Sequence, residues 1–269
     1  MFYGLARNLL DTGPYRFEHV LQDIQTLNLR ARQGELEITA ISIHAYPHVA
    51  DKYALTSCGG SVGEKYGPLM IAVRPCTVAD LRGKTIAIPG ELTTAFLVLQ
   101  LCLGKAGEAF NPIVVHFDQI PQFVKDGKAD AGLIIHEGQL TYRKLGLHPV
   151  VDLGMWWHQQ TELPLPLGGN CIRKDLGPAV MQEVTDILKR SILFSLDHRK
   201  EAVEYSLQFG RDLDRKLADR FVGMYVNHWT LDYGPRGRLA ISTLLERGAA
   251  AGLVPVVPPP GIEFITAVA

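Results

Sequence analysis

The chain has 269 residues, of which 47% are apolar and 20% charged, and this composition is typical of a globular protein with one large or two smaller domains. The formal net charge is −1 and there is no basic run, which argues against nucleic acid or an anionic membrane as a partner. No apolar stretch approaches the length of a membrane span, so we expect a small-molecule ligand in a pocket.

The first eighty residues alternate between helix and strand patterns. Two helices are predicted. The first is Met1 to Leu10, which has its apolar positions on one side, and the second is Asp23 to Gln33, which starts at a capping aspartate and stops at Gly34. Runs rich in β-branched residues predict strands at residues 17–20, 36–43, 53–55 and 68–73. A short helix is predicted at residues 45–49 and a glycine-rich loop at residues 58–63.

The middle of the chain repeats the order strand, turn, helix. Residues 84–88 are a predicted strand, Pro89 and Gly90 turn the chain, and residues 93–103 are a strongly apolar helix. The same order continues through predicted strands at 113–117, 131–135 and 150–153 and helices at 119–126 and 140–145. This alternation predicts an α/β fold with a largely parallel sheet.

A proline- and glycine-punctuated segment, residues 163–172, reads as a crossover between domains, and the chain beyond Gly177 is mainly helical to Arg247. We therefore expect two lobes joined by crossings near Pro89 and Gly168. Lobe I would contain residues 1–88 and 172–269, and lobe II residues 89–171. Hinged solute-binding folds have this arrangement, with their ligand in the central cleft.

His136 is the first candidate for chemistry. It follows the predicted strand at residues 131–135, and the carboxyl end of a parallel strand is where ligands bind in open α/β sheets. An imidazole held there is suited to act as a base near neutral pH. The structural alternative is that His136 caps a buried strand.

Three hydroxyl residues follow strands in equivalent positions. Thr93 and Thr94 open a helix, whose free N–H groups and dipole favour an anion, and their hydroxyls would add donors to a carboxylate. Ser42 ends the strand that contains Ala40 and Ile41. The structural alternative for Thr93 and for Ser42 is that each caps the helix that follows it.

Other polar and aromatic residues are assigned structural roles. His44 and His48 have a metal-binding spacing, but Pro47 lies between them and no third ligand is evident, so we expect a surface pair and no metal site. One of Trp156 and Trp157 could stack on an aromatic substrate, whereas packing between domains is the alternative. The segment at residues 225–229 is expected to be structural.

The four cysteines are widely spaced, and they are Cys58, Cys76, Cys102 and Cys171. This spacing predicts free thiols in a reducing cytoplasm.

Taken together, several motifs resemble one enzyme family. They are residues 132–137 (Gly-Leu-Ile-Ile-His-Glu), 141–142 (Thr-Tyr), 151–157 (ending Trp-Trp) and 163–168 (Leu-Pro-Leu-Pro-Leu-Gly), with shorter matches at 23–28, 67–69, 93–95 and 225–227. The chain resembles the 1,4-dihydroxy-6-naphthoate synthases of the futalosine route to menaquinone, over nearly its whole length.

The resemblance implies a two-lobed fold of the periplasmic-binding-protein type (type II). It implies a cytoplasmic lyase that converts cyclic dehypoxanthine futalosine to 1,4-dihydroxy-6-naphthoate, without a metal or an organic cofactor. His136 matches the family's proposed catalytic base. The implied substrate-binding residues are Ala40, Ile41, Ser42, Thr93, Thr94 and Ile135. Oligomeric state is left open.

In one respect the chain departs from this family, in which a strand and a loop resembling Ser-Pro-Cys-Pro-Asn-Asp-Thr precede the first helix. We therefore expect that the numbered start is internal to the gene product. Three alternatives stay open: a non-enzymatic binder of small carboxylates with the same fold, the sibling enzyme chorismate dehydratase, and a paralogue or truncated product without activity.

Overall fold

The computed structural model describes residues 1–209 and 214–268. These residues form two five-stranded sheets with helices packed on them. The strands are β1 (Ile38–Ser42), β2 (Tyr53–Thr56), β3 (Ser61–Gly63), β4 (Leu69–Ala72), β5 (Thr85–Ile88), β6 (Asn111–Val114), β7 (Ala131–Ile134), β8 (His148–Asp152), β9 (Leu165–Arg173) and β10 (Phe264–Ile265).

The helices come from both ends and from the middle of the chain. They are α1 (Tyr3–Ala6), α2 (Ile24–Gln33), α3 (Thr94–Leu103), α4 (Ile120–Lys125), α5 (Gly138–Thr141), α6 (Leu153–Thr161), α7 (Pro178–Asp197), α8 (Arg199–Leu207), α9 (Arg215–Tyr225), α10 (His228–Leu231) and α11 (Gly234–Ala250). Short 3₁₀ helices lie at Ile43–His48, Ala79–Leu81, Tyr142–Leu145 and Lys174–Leu176. Within the described ranges, no helix is both long and apolar enough to span a membrane.

The sheet of lobe I has the order β1-β9-β2-β10, with β3 also paired to β9. β9 runs antiparallel to β1, β2 and β3, whereas β10 runs parallel to β2. The sheet of lobe II has the order β6-β5-β7-β4-β8. In it, β5, β6 and β7 are parallel, and β4 runs antiparallel to β7 and β8. The predicted two-lobed α/β class is confirmed, but the prediction of a largely parallel sheet is wrong, because β9 and β4 each run antiparallel to every strand with which they pair.

The division of the chain between the lobes differs from the predicted one. β4 and β5 pair within the lobe II sheet, so the strands of that sheet span residues 69–152 rather than starting after residue 88. The two crossings are residues 64–68, between β3 and β4, and residues 162–164, between α6 and β9. The hydrogen bonds that β4 makes with β7 and β8 assign it to lobe II, and the sequence pattern of one strand does not reveal its partners.

The segment predicted as a crossover at residues 163–172 is the longest strand, β9. Pro166 fits this strand because it pairs with Val62 beside a shift in register, where a missing N–H is tolerated. Gly169 fits because a Cβ there would lie 2.2 Å from the Tyr233 hydroxyl oxygen. The glycine therefore serves close packing of a helix on the sheet. By contrast, residues 17–20, predicted as a strand, form no strand in the structure.

Candidate functional site

A cavity of about 340 Å³ lies between the two lobes. The six residues that the sequence analysis assigns to the substrate all line it, and they are Ala40, Ile41, Ser42, Thr93, Thr94 and Ile135. The first three come from β1 in lobe I, whereas the other three follow β5 and β7 in lobe II. The structure thus brings together positions that are up to 95 residues apart. Their roles in binding remain predictions.

Ser42 is held at the end of β1 by Asn28 of α2. The Asn28 Oδ1 atom accepts a hydrogen bond from the Ser42 amide at 2.8 Å, and Asn28 Nδ2 donates to Ser42 Oγ at 3.1 Å. Both side chains are buried. The Ser42 side chain does not cap the following 3₁₀ helix, and its hydroxyl proton has no acceptor within the described chain. This proton is therefore available to a ligand in the cavity.

The amino end of α3 faces the same cavity through Thr93, Thr94 and Ala95. Thr93 caps the helix, accepting from the Phe96 amide at 3.3 Å, as one of the two readings predicts. Both threonine hydroxyls already donate to carbonyl oxygens, Thr93 to Gly90 at 2.8 Å and Thr94 to Leu167 at 2.6 Å. The hydroxyls are therefore not the free donors that the sequence suggested.

The backbone amides at the start of α3 are the available donors. Within the described residues, no hydrogen-bond acceptor contacts the amides of Thr94 and Ala95. Two adjacent free N–H groups at the positive end of a ten-residue helix favour an anion such as a carboxylate. The threonine side chains fix the orientation of this helix end instead of binding the anion through their hydroxyls.

His136 lies beside the cavity but is not among its lining residues. Ile135, which does line it, separates His136 from the end of β7. The imidazole ring sits edge-on to Phe117, with 5.3 Å between ring centroids, and above Gly138, where a Cβ would lie 2.9 Å from Nε2. Its Nδ1 atom is buried and has no hydrogen-bond partner in the part of the chain that is described.

The surroundings of His136 favour the neutral imidazole. Burial lowers the pKa of His136 below its ordinary value; the nearby Glu137 carboxylate opposes this effect, and the His116 imidazole adds to it. A neutral ring with an unpartnered nitrogen can accept a proton. These are the properties required of a general base near pH 7.

The cavity has further lining residues that the sequence does not single out, among them Gln139, Asn170, Phe221 and Tyr225. Tyr225 belongs to the segment expected to be structural, yet its hydroxyl donates to Gln139 Oε1 at 3.0 Å. Asn170 is 4% exposed, and its Nδ2 atom has no partner among the described residues. An asparagine in the interior of a strand, directly after two glycines, is the only signal that points to it.

Other candidates from the sequence lie away from the cavity or have structural partners. Trp157 is fully buried and donates from Nε1 to the Pro164 carbonyl at 3.0 Å, and neither it nor Trp156 lines the cavity. His44, expected on the surface, is 3% exposed, and its Nδ1 lies 3.0 Å from the Thr93 carbonyl oxygen. No cluster of three or more metal-ligating side chains occurs within the described ranges.

Comparison with known proteins identifies the family to which the chain belongs. The family model described as menaquinone biosynthesis matches residues 1–250. The chain belongs to this menaquinone biosynthesis family. It is 38% identical, over 97% of its length and 93% of the relative, to a Thermus thermophilus protein named 1,4-dihydroxy-6-naphthoate synthase. The resemblance stated from the sequence is therefore confirmed.

Solved structures agree with the fold of this menaquinone biosynthesis protein. A crystal structure of protein AF1704 from Archaeoglobus fulgidus superposes with a TM-score of 0.89 at 44% identity, covering 94% of this chain and 93% of that one. The alkanesulfonate-binding protein SsuA from Xanthomonas axonopodis, solved with bound MOPS, gives a TM-score of 0.63 at 15% identity, covering 91% and 85%. The second likeness supports the periplasmic-binding-protein fold only.

Proposed function

We propose that this protein is a lyase that converts cyclic dehypoxanthine futalosine to 1,4-dihydroxy-6-naphthoate. The observation that carries the proposal is the 38% identity to the Thermus thermophilus synthase, which extends over 97% of this chain. The interlobe cavity supports it, because its walls are mostly apolar and include glycines at positions 59, 168 and 169. A flat, bicyclic aromatic acid suits such a cavity.

The substrate's carboxylate would bind at the amino end of α3. The free amides of Thr94 and Ala95 would donate to it, and the helix dipole would add a favourable field. Ser42, on the opposite lobe, would donate its hydroxyl proton to a second oxygen of the substrate. This arrangement would fix the aromatic part between lobe I and lobe II.

His136 would start the reaction by removing the proton of a hydroxyl group next to the carbon–carbon bond that breaks. The imidazole would first turn from its place above Gly138 toward the cavity. That motion sacrifices no hydrogen bond of Nδ1, because this atom has no partner in the described structure. Electrons from the deprotonated oxygen would then form a carbonyl as the carbon–carbon bond breaks. The electron pair of the broken bond would pass to the other carbon, and protonation of that carbon would complete the release of the naphthoate and a sugar-derived fragment.

We also expect the protein to act in the cytoplasm on a small molecule, without nucleic acid or a membrane as partner. The four cysteines are free thiols, and burial raises the pKa of Cys58 to about 12. Such thiols resist deprotonation and oxidation, as is common for buried cysteines of reducing compartments.

Turnover of cyclic dehypoxanthine futalosine by the purified protein, followed as release of the naphthoate, tests this function. We expect His136→Ala to lower kcat by about 10²- to 10⁴-fold, the usual contribution of a general base. His158→Gln is a matched control, because His158 also has a buried, unpartnered Nδ1 but lies outside the cavity.

The outcomes separate the alternatives. If the His136→Ala variant keeps wild-type turnover, His136 is not the catalytic base. Tight binding of the naphthoate by the parent protein without turnover would favour a non-enzymatic binder, and dehydration of chorismate would favour the sibling enzyme.

A further inference from the structure

A hydrogen bond joins the two lobes over the cavity. Tyr225 ends α9, which packs against β3 of lobe I, and Gln139 lies in α5, directly after β7 of lobe II. The Tyr225 hydroxyl donates to Gln139 Oε1 at 3.0 Å, and both side chains line the cavity. This bond spans the cleft, so a separation of the two lobes would break it.

Gln139 also holds the segment that carries His136. Its Nε2 atom donates to the Ile134 carbonyl at 3.3 Å, and its backbone amide donates to the His136 carbonyl at 2.9 Å. Gln139 therefore makes hydrogen bonds to the backbone at both ends of the short segment from Ile134 to His136. A change in the orientation of the Gln139 side chain would break its bond to the Ile134 carbonyl, two residues before His136, and so loosen the segment that carries this histidine.

The position of the Tyr225 hydroxyl is fixed by aromatic packing. The Tyr225 ring packs edge-on against Tyr66, with centroids 5.8 Å apart, and against Phe221, with centroids 5.2 Å apart. Tyr66 lies in the first crossing, and its hydroxyl donates to the Met224 carbonyl. Tyr225 is therefore tied both to α9 and to the first crossing between the lobes.

We propose that Tyr225 and Gln139 are positioning residues for His136. When the lobes close on the substrate, Tyr225 fixes the Gln139 amide, and this amide fixes the turn from which the His136 ring can rotate into the cavity. When the lobes separate, the Gln139 side chain loses its partner and the turn relaxes. The turn that carries His136 is thus fixed only while the lobes are closed. This inference rests on the proposed function, because it takes His136 as the base.

Tyr225→Phe removes the hydroxyl and leaves the ring packing intact. We expect kcat to fall about fivefold to tenfold with KM changed less than twofold, because one hydrogen bond that orients the base is lost. Gln139→Leu should lower kcat at least as much. The double variant should be no slower than Gln139→Leu alone, since both substitutions remove the same bond.

Tyr53→Phe is the control, because it also removes a tyrosine hydrogen bond, to the Leu36 carbonyl at 2.6 Å, but outside the cavity. It should leave kcat and KM unchanged. A second measurement needs no turnover: NMR titration of the His136 ring with bound 1,4-dihydroxy-6-naphthoate. In Tyr225→Phe the relaxed turn exposes the ring, so its pKa should rise toward the ordinary value, with Glu137 and His116 still beside it.

The results decide between positioning and mere packing. An unchanged kcat and an unchanged His136 titration in Tyr225→Phe would overturn the inference, as would a loss of kcat that only follows a loss of folded protein. If the parent protein shows no turnover, the proposed lyase function fails, whereas the titration still determines whether Tyr225 controls the surroundings of His136.

Discussion

The position of the His136 ring depends on Gly138, which lies two residues later in the chain. Gly138 has no side chain, so the imidazole can fold over it, and a Cβ there would come within 2.9 Å of Nε2. Phe117 closes the other side of the ring. These neighbours reduce the contact of the imidazole with water and favour its neutral form, and Nδ1 has no partner among the described residues. The ring is thus kept ready to accept a proton.

The lowered pKa of His136 predicts the pH dependence of the reaction. A base must be neutral, so kcat/KM should hold on acidification through pH 6.5, the ordinary histidine value, and fall only as the pH passes the lowered pKa. Glu137→Gln removes the carboxylate that opposes the effect of burial, and should therefore move this acid limb to still lower pH. A pH profile of kcat/KM for both proteins checks the prediction. An acid limb at or above pH 6.5 in the parent would contradict it.

For single residues, the sequence identifies residue types and strand ends but not side-chain partners. Ser42, Thr93 and Ile135 follow strands, and the structure brings them to one cavity. The threonine hydroxyls were expected to be free, but nearby carbonyls accept their protons. Tyr225 was missed because its importance depends on Gln139, 86 positions earlier in the chain. Local patterns carry no information on such a pair.

Among the elements, the 3₁₀ helix at Ile43–His48 supports the start of α3. The His44 amide donates to Thr94 Oγ1 at 3.2 Å, and the His44 imidazole donates from Nδ1 to the Thr93 carbonyl at 3.0 Å. His44 belongs to lobe I and α3 to lobe II, so these bonds also join the lobes. The neutral histidine thus fixes the helix end that we propose binds the carboxylate.

His44 should make folding sensitive to acid. Burial lowers its pKa to about 4, and the His48 charge adds to this, whereas the Thr93 carbonyl opposes it. Between pH 6.5 and pH 4 the unfolded chain binds the proton more readily, so the contribution to stability is complete above pH 6.5 and is lost as the pH falls through 4. The loss should be about 2 to 3 kcal/mol between pH 7 and pH 4.5.

Urea unfolding of the parent and of His44→Gln at pH 7 and pH 4.5 measures this contribution. The variant should be less stable at pH 7, because a buried hydrogen bond is altered, but it should lose less stability on acidification. Equal losses in the two proteins would show that other groups cause the acid sensitivity.

Element prediction succeeded where local signals coincide with the final fold and failed where packing overrides them. α3 was predicted almost to the residue, because Thr93 and an apolar run mark it clearly. Where β9 lies, the sequence predicts a crossover between domains, because proline and glycine usually interrupt strands. In the fold, a register shift accommodates Pro166 and the Tyr233 hydroxyl requires Gly169. Neither cause is visible in the segment itself.

For the whole molecule, a single side chain connects both crossings between the lobes. Arg236, in the first turn of α11, donates from Nη1 to Glu64 Oε1 at 2.9 Å and from Nη2 to the Glu162 carbonyl at 2.8 Å. Glu64 begins the first crossing and Glu162 the second. Trp229 also donates to Glu64 Oε2 at 3.2 Å. One planar guanidinium therefore holds the two segments about which the lobes would swing.

We expect Arg236→Met to shift the lobes toward the open arrangement in the absence of ligand. The apparent affinity falls with the fraction of molecules that are closed, so KM should rise a few-fold while kcat at saturation stays within about twofold. The stability of the fold should change by less than about 1 kcal/mol, because the guanidinium lies at the surface. Arg236→Lys should give an intermediate KM, because lysine offers a single charged nitrogen in place of the two guanidinium nitrogens that bond Glu64 and Glu162.

Small-angle scattering of the free proteins, together with KM, checks this prediction. The radius of gyration should be larger for Arg236→Met than for the parent, and the two should converge when 1,4-dihydroxy-6-naphthoate is bound. Arg238→Met is a matched control on the same helix, because Arg238 donates to Thr266 Oγ1 at 3.0 Å and touches neither crossing. If both arginine variants behave like the parent, the contacts across the cavity hold the lobes together, and the crossings do not.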